Sequence, residues 1–281
     1  MIELIDSHCH LDYDYLPKTE TDLIREAQSV GVTTLITMGT EIDSIPKVEA
    51  ISARQPRVFY TVGIHPHQAI TMKDGDLALL EAASQNPKCR AIGEIGLDYH
   101  YDHSPRDVQH KCLKTQLDLA LRVRLPVVIH CREAEEDLLK YLTEYVENSI
   151  QSARTTQTTT LPGTVEPSTH IPGVIHCFTG TQSFGEACLK LGFYISFSGV
   201  LTFKTADSIR TCAKAFPIER LLVETDAPYL APVPYRGKKC EPSMVKFTAQ
   251  KLAEVKALSL EEVARITTQN AKRVFGLDSG S

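Results

Sequence analysis

Eight short apolar runs, each bounded by turn residues, recur along the chain and alternate with segments of helical spacing. The runs are Ile2–Ile5, Thr33–Thr37, Val58–Val62, Ala91–Ile95, Pro126–Ile129, Gly173–Ile175, Phe193–Ser196 and Leu221–Val223. Most are continuously apolar rather than alternating, the pattern of parallel strands covered on both faces. Between them, Leu23–Val30, Leu77–Ser84, Val108–Val123, Glu135–Val146, Glu186–Leu191 and Thr205–Ala215 space apolar residues three or four apart, as amphipathic helices do. This alternation predicts an α/β fold, a single (β/α)8 TIM-like barrel, with a doubly wound open sheet as the alternative. The 281 residues suit one barrel, which takes about 250.

Two segments fall outside the rhythm. Residues 149–170 hold ten Ser or Thr in 22 positions and almost no large apolar residue. Such a stretch buries too little surface to offset its ordering entropy, so it reads as a flexible insertion within the single domain 1–281. At the other end, Pro242–Ala257 and Ser259–Phe275 read as two closing helices, with Ser259 as N-cap and Glu262 three residues on.

Composition narrows the function. Thirty Lys plus Arg against 35 Asp plus Glu give a formal charge of −5. That excludes a protein coating nucleic acid by bulk charge, but not a nuclease holding phosphates through metals and a few local cations. No run approaches the ~20 apolar residues of a membrane span. The N-terminus turns acidic at once, without the basic start and apolar centre of a signal peptide. A cytoplasmic address without a membrane or obligate protein partner is expected. Eight cysteines without a Cys-x-x-Cys pair read as reduced thiols rather than disulfides or a zinc knuckle.

Barrel enzymes act at the C-terminal ends of their strands, and the ionisable residues collect there. The first run is followed by Asp6-Ser-His8-Cys-His10, whose two imidazoles share a strand face while Cys9 points away. The fourth ends in Gly93-Glu94-Ile-Gly96-Leu-Asp98, the fifth in His130-Cys-Arg132, the sixth in His176-Cys-Phe, and the eighth in Glu224-Thr-Asp226. Buried ionisable groups are costly unless paired or metal-bound. Four imidazoles and two principal carboxylates, Glu94 and Asp226, are too many for one tetrahedral ion. They suit two divalent cations about 3.5–4 Å apart sharing an activated water. The donors fit Zn, Mn, Mg or Co without choosing among them.

Seven motifs carry a family resemblance: Asp6-Ser-His-Cys-His-Leu-Asp12, Gly63-Ile-His65-Pro-His67, Gly93-Glu-Ile-Gly-Leu-Asp-Tyr99, Leu125-Pro-Val-Val-Ile-His-Cys-Arg132, His176-Cys-Phe-Thr-Gly180, Ser196-Phe-Ser-Gly199 and Glu224-Thr-Asp-Ala-Pro-Tyr-Leu230. Together they resemble the TatD family of metal-dependent deoxyribonucleases, within the amidohydrolase group of barrels. The resemblance implies hydrolysis of DNA phosphodiester bonds, often from the 3′ end, at unpaired strands or 3′ ends. It implies that His8, His10, Glu94 and Asp226 hold one metal, and that Glu94 bridges to a second completed by His130 and His176. Asp226 would accept the proton of the bridging water, making Asp226 and Glu94 the catalytic pair. Related amidohydrolases use a carboxylated lysine as the bridge, but the nearest lysine, Lys88, precedes the fourth run. The chain departs from the family at Lys239-Cys240-Glu241-Pro242, where an Arg-Asn-Glu-Pro run is frequent.

His65 and Arg132 are candidate phosphate contacts, since an arginine fork can bond two oxygens at once. Tyr99 is a candidate substrate contact, with base stacking open to Tyr99, Tyr101, Phe178, Tyr229 or Tyr235. Cys9, Cys131 and Cys177 are expected to turn outward under the helices, and His67 to be a hydrogen-bonded structural residue. Glu224 is expected to support the ligands, and Arg236-Gly-Lys-Lys239 is either a solvated loop or a backbone-contact patch. Rival functions are hydrolysis of an aminoacyl-tRNA ester or a cyclic amide in the same barrel, or a metal-binding scaffold without turnover.

Overall fold

The computed structural model describes residues 2–157 and 171–277. Eight parallel strands form one sheet in chain order: β1 (Leu4–Cys9), β2 (Val32–Met38), β3 (Val58–Val62), β4 (Cys89–Asp98), β5 (Val127–Arg132), β6 (Gly173–Ile175), β7 (Tyr194–Phe197) and β8 (Leu221–Val223). The edge strands meet where the Asp226 N–H donates to the His8 carbonyl (2.9 Å) and the His10 N–H to that of Ala227 (2.8 Å). The sheet is thus a nearly closed TIM-like barrel.

Helices α1 (Glu20–Ser29), α2 (Ile45–Arg54), α3 (Asp76–Ser84), α4 (Arg106–Val123), α5 (Glu135–Gln157), α6 (Gln182–Lys190) and α7 (Asp207–Ala215) cover the outside, followed by α8 (Val245–Lys256) and α9 (Leu260–Val274). Helix α2 occupies a stretch with no assigned element. Pro46 lies in its first turn, where the missing N–H costs nothing and the fixed φ suits the helix. Buried Ile45, Val48 and Ile51 supply the inward stripe. The flexible reading of 149–170 is corrected in part. Residues 149–157 continue α5, because extending a nucleated helix through Ser and Thr costs little per residue. Residues 158–170 lie outside the described residues.

One apolar layer fills the barrel's N-terminal half, with Ile5, Ile36, Phe59, Ala91, Val128, Val174, Tyr194 and Leu222 each from a different strand, plugged from below by Ala271 and Phe275. Alternation then predicts which residues reach the upper mouth. It holds from Val128 to His130 and from Val174 to His176, and fails in two places. Ser7 reaches Ser196 of β7 (3.1 Å) and His8 stacks on His176 (3.9 Å between centroids). Two consecutive residues thus face inward, where the β1–β2 register is irregular between Asp6 and Cys9. In β4, Glu94 lies three residues beyond the inward Ala91 and still faces inward, across an irregularity between Ile92 and Ile95. Both breaks behave as bulges, which re-aim side chains next to functional sites.

Helix α9 fastens the lower rim. Its buried Asn270 donates to the carbonyls of Ile218 and Leu221, both at 2.9 Å, and Thr268 donates to the Glu3 carbonyl at 3.0 Å. Asn270→Ala strands these buried acceptors and is expected to lower unfolding free energy by about 1–3 kcal/mol in denaturant titration. A loss within experimental error would show that the tie carries no stability.

Candidate metal centre

A cavity of about 970 Å³ opens at the C-terminal end of the strands, with Glu94 on its floor. Glu94 Oε1 faces His176 Nε2 (2.7 Å), His130 Nδ1 (3.1 Å) and His65 Nε2 (3.3 Å). Its Oε2 faces His8 Nε2 (3.3 Å) and His10 Nε2 (4.0 Å). Asp226 closes the second group, its Oδ1 lying 3.4 Å from His10 Nε2 and 3.7 Å from His8 Nε2. Asp226 has a left-handed backbone (φ +58°). A non-glycine residue held there stores about 1–3 kcal/mol of strain, typical of functional positions.

Burial alone would raise the Glu94 pKa. The imidazoles of His176, His65 and His8, with the His130 hydrogen bond, outweigh it and hold the carboxyl well below the usual range. Asp226 is likewise lowered against burial by His10, His8 and His176. Burial, reinforced by His176, lowers His8, whereas the Glu94 charge outweighs burial and raises His176. Both principal carboxylates are therefore ionised in a nearly dry site.

Several donors lack a hydrogen-bond partner. His8 is fully buried with neither ring nitrogen bonded, and His10 Nδ1 is also unpartnered. Ligands around one tetrahedral ion at about 2.0–2.1 Å are about 3.3 Å apart, within the 2.7–3.3 Å found around Glu94 Oε1 and the 3.3–4.0 Å around Oε2. The triads His8–Glu94–His176 and His8–His10–Asp226 each bring their ligand atoms within 4.8 Å of one another. The chemistry and spacing fit divalent metal.

A model of the family described as TatD related DNase matches residues 5–276. The chain belongs to the TatD family. It is 37% identical over 275 residues to YabD of Bacillus subtilis, an uncharacterized metal-dependent hydrolase, covering 98% of this chain and 100% of that protein. It is 30% identical over 280 residues to an Erwinia billingiae protein named 3′-5′ ssDNA/RNA exonuclease TatD, covering 98% and 99%. The crystal structure of YJJV, a TatD homologue from Escherichia coli K12, matches at a TM-score of 0.85 and 27% identity, covering 97% of this chain and 98% of that one. This TatD-family protein is a metal-dependent hydrolase, and among its described residues no helix is long and apolar enough to cross a membrane.

The TatD site brings His8, His10, Glu94, His130, His176 and Asp226 together. His65 joins them differently. The His67 backbone N–H donates to its Nδ1 (3.1 Å), so Nδ1 uses its lone pair there. Burial lowers the His65 pKa to about 4, leaving the ring neutral with its proton on Nε2. His65 therefore offers Glu94 a donor, not a lone pair. Arg132 lines the cavity 5.0 Å above the Tyr101 ring.

Tyr99 is corrected. Its hydroxyl bonds His110 Nε2 (2.5 Å) and Asp137 Oδ2 (2.8 Å) on α4 and α5, away from the cavity. Phe178 is buried among Phe184, Phe197 and Phe216, and Tyr235 packs on Phe247. Tyr101 and Tyr229 line the mouth, 51% and 48% exposed. Cys131 packs against the core under the helices, as alternation from His130 requires, whereas Cys177 lines the cavity, since it lies beyond the end of β6 at φ +42°, where strand alternation no longer applies. Cys9 is buried, its thiol on the Ile36 carbonyl. The basic loop points elsewhere. Arg236 lies 3.7 Å over Phe203 and Lys239 bonds the Asp14 carbonyl.

Sequence reasoning passed over two acids. Asp98 shares strand parity with Glu94 and accepts from His130 Nε2 (3.0 Å) and His67 Nε2 (2.9 Å). Asp6, pushed up to about 8 by burial, accepts from the Thr225 hydroxyl (2.6 Å) and N–H (2.9 Å), pinning the segment that carries Asp226. Glu224 accepts from the Cys177 N–H (2.6 Å), and its Oε1 lies 3.4 Å from His176 Nδ1. Cys240, at the departure from the family pattern, is buried 3.9 Å from the Thr225 carbonyl, outside the cavity lining.

Glu94→Gln keeps the side chain's shape and removes the charge facing the histidines. It is expected to lose bound divalent metal on dialysis, measured by elemental analysis, with an unchanged far-ultraviolet circular dichroism spectrum. Wild-type metal content would contradict the role of Glu94.

Proposed function

We propose that this protein is a divalent-metal-dependent deoxyribonuclease that removes nucleotides from the 3′ ends of unpaired DNA. The observation that carries this reading is the division of donors around one carboxylate, with His8, His10 and Asp226 beside Glu94 Oε2 and His130 and His176 beside Oε1. On this reading these residues would hold two divalent cations, Zn, Mn, Mg or Co, with Glu94 facing both groups of donors. Two such ions supply Lewis acidity toward a phosphodiester and make water acidic enough to attack at neutral pH.

The remaining roles belong to the chain. Asp226, kept ionised by its histidine neighbours, accepts the proton from the attacking water. His65 Nε2–H and the Arg132 fork donate to phosphate oxygens. Among the described residues lining the cavity, Arg132 alone carries a permanent positive charge, so binding rests on metals and stacking rather than on a basic groove. Tyr101 on one wall and Tyr229 on the other offer ring faces to unpaired bases, which a duplex keeps stacked inside. The Erwinia relative's name, with its single-stranded substrate and 3′-5′ direction, supports the same substrate class. A cytoplasmic location fits DNA as substrate.

Incubation with single-stranded DNA labelled at its 3′ end is expected to release mononucleotides in at least one of Mg, Mn, Zn or Co, and to stop on chelation. No release with any of the four would contradict the proposal. Tyr101→Leu and Tyr229→Leu are each expected to raise KM for single-stranded DNA by roughly tenfold, the low end of ~1–3 kcal/mol per stacked base. With kcat within about twofold, steady-state kinetics would separate the roles. Unchanged KM in both variants would remove the walls from the binding site.

A further inference from the structure

Asp98 is fully buried and meets four donors with two oxygens. Oδ2 takes His130 Nε2 (3.0 Å) and His67 Nε2 (2.9 Å). Oδ1 takes the backbone N–H groups of His100 and Tyr101, both at 2.9 Å. The residue is itself clamped, because Gln109 accepts from the Asp98 N–H (2.8 Å) and donates to its carbonyl (3.0 Å). We infer that Asp98 is a positioning residue that holds the His130 proton on Nε2, so that Nδ1, beside Glu94 and His176, is the nitrogen that presents its lone pair to a cation.

A neutral imidazole has one N–H and one lone pair, and an ionised carboxylate only accepts. With Asp98 beside Nε2, that nitrogen carries the proton. Nδ1, 3.1 Å from Glu94 Oε1 and 3.3 Å from His176 Nε2, also faces a carboxylate, and becomes the donor atom where a cation displaces its proton while Asp98 keeps the one on Nε2. The opposite tautomer would aim an N–H at the place where a cation needs a lone pair. Carboxylate-backed histidines are a general means of orienting metal ligands. Here the same side chain, through Oδ1, also anchors the loop that presents Tyr101, so ligand and cavity wall share one support. This inference rests on the proposed reading of His130 as a ligand.

The test exploits a difference between an amide and a void. In Asp98→Asn the two backbone N–H groups still require the side-chain oxygen, so the NH2 faces His130 and His67. Only a histidine that moves its proton to Nδ1 can accept from it, and His130 then loses its ligating lone pair. Asp98→Ala leaves both tautomers open. A metal titration followed by absorbance of Co(II) is expected to show the His130-side ion bound about 10–100-fold more weakly in Asp98→Ala. Asp98→Asn should bind it more weakly still, and the other ion should be unaffected. Thermal stability should run the other way, because Asn keeps the two backbone hydrogen bonds that Ala loses. A purely structural Asp98 would rank both properties alike, and Asn binding the ion as tightly as Ala would overturn the inference. His130→Ala is the control for the underlying reading and should lose that ion. If it keeps full metal stoichiometry, the ligand assignment fails, separately from Asp98. In the zinc-loaded wild-type protein, nitrogen-15 NMR of labelled histidine checks the tautomer directly. A His130 proton on Nε2 is expected, and a proton on Nδ1 would overturn the role of Asp98 even if the variants do not fold.

Discussion

Glu94 is an ionised carboxylate with almost no access to water, and the upper half of the barrel is arranged around that fact. An isolated buried carboxylate is prohibitively costly and would take up a proton. This one stays charged because five imidazoles from the ends of β1, β5 and β6 and from the loop after β3 converge on it. Metal ligation requires neutral imidazoles and ionised carboxylates. His10, His130 and His176, whose affinity for protons is raised by the carboxylates they face, would give up that proton to a cation, while His8 and His65 are held neutral by burial.

Convergence from separate strands is what a barrel provides, but regular strands would not provide it here. From the apolar layer upward, strict alternation turns His8, His10 and Glu94 away from the mouth. Register breaks in β1 and β4 reverse that. Where β4 comes closest to β5, Gly96 is required, since a Cβ there would lie 1.9 Å from the His130 carbonyl oxygen. Around these donors stand further acids that touch the cluster from behind. Asp98 stands behind His130, Glu224 behind His176, and Asp6 behind the Thr225–Asp226 turn.

Much of this was legible in the chain. Eight apolar runs predicted eight strands because a strand covered on both faces has little freedom in composition, and β3, β6 and β8 match the runs at both ends. The cluster of His, Glu and Asp side chains was legible because such residues recur where the apolar runs stop. The rest depends on geometry that composition does not carry. Bulges shift parity without a residue signature. Tyr99 and Tyr101 look alike in sequence, yet one is tied to α4 and α5 and the other faces the cavity. Helix α2 was left unassigned, although its apolar Ile45, Val48 and Ile51 recur at helical spacing. Whether His65 offers a proton or a lone pair depends on one backbone N–H, from His67, that only the folded loop supplies.

Anomalous diffraction from crystals loaded with Mn tests the central claim most directly. Two peaks are expected about 3.5–4 Å apart, one beside Glu94 Oε2 with His8, His10 and Asp226, the other beside Oε1 with His130 and His176. A single peak, or peaks not bridged by Glu94, would contradict the two-cation centre.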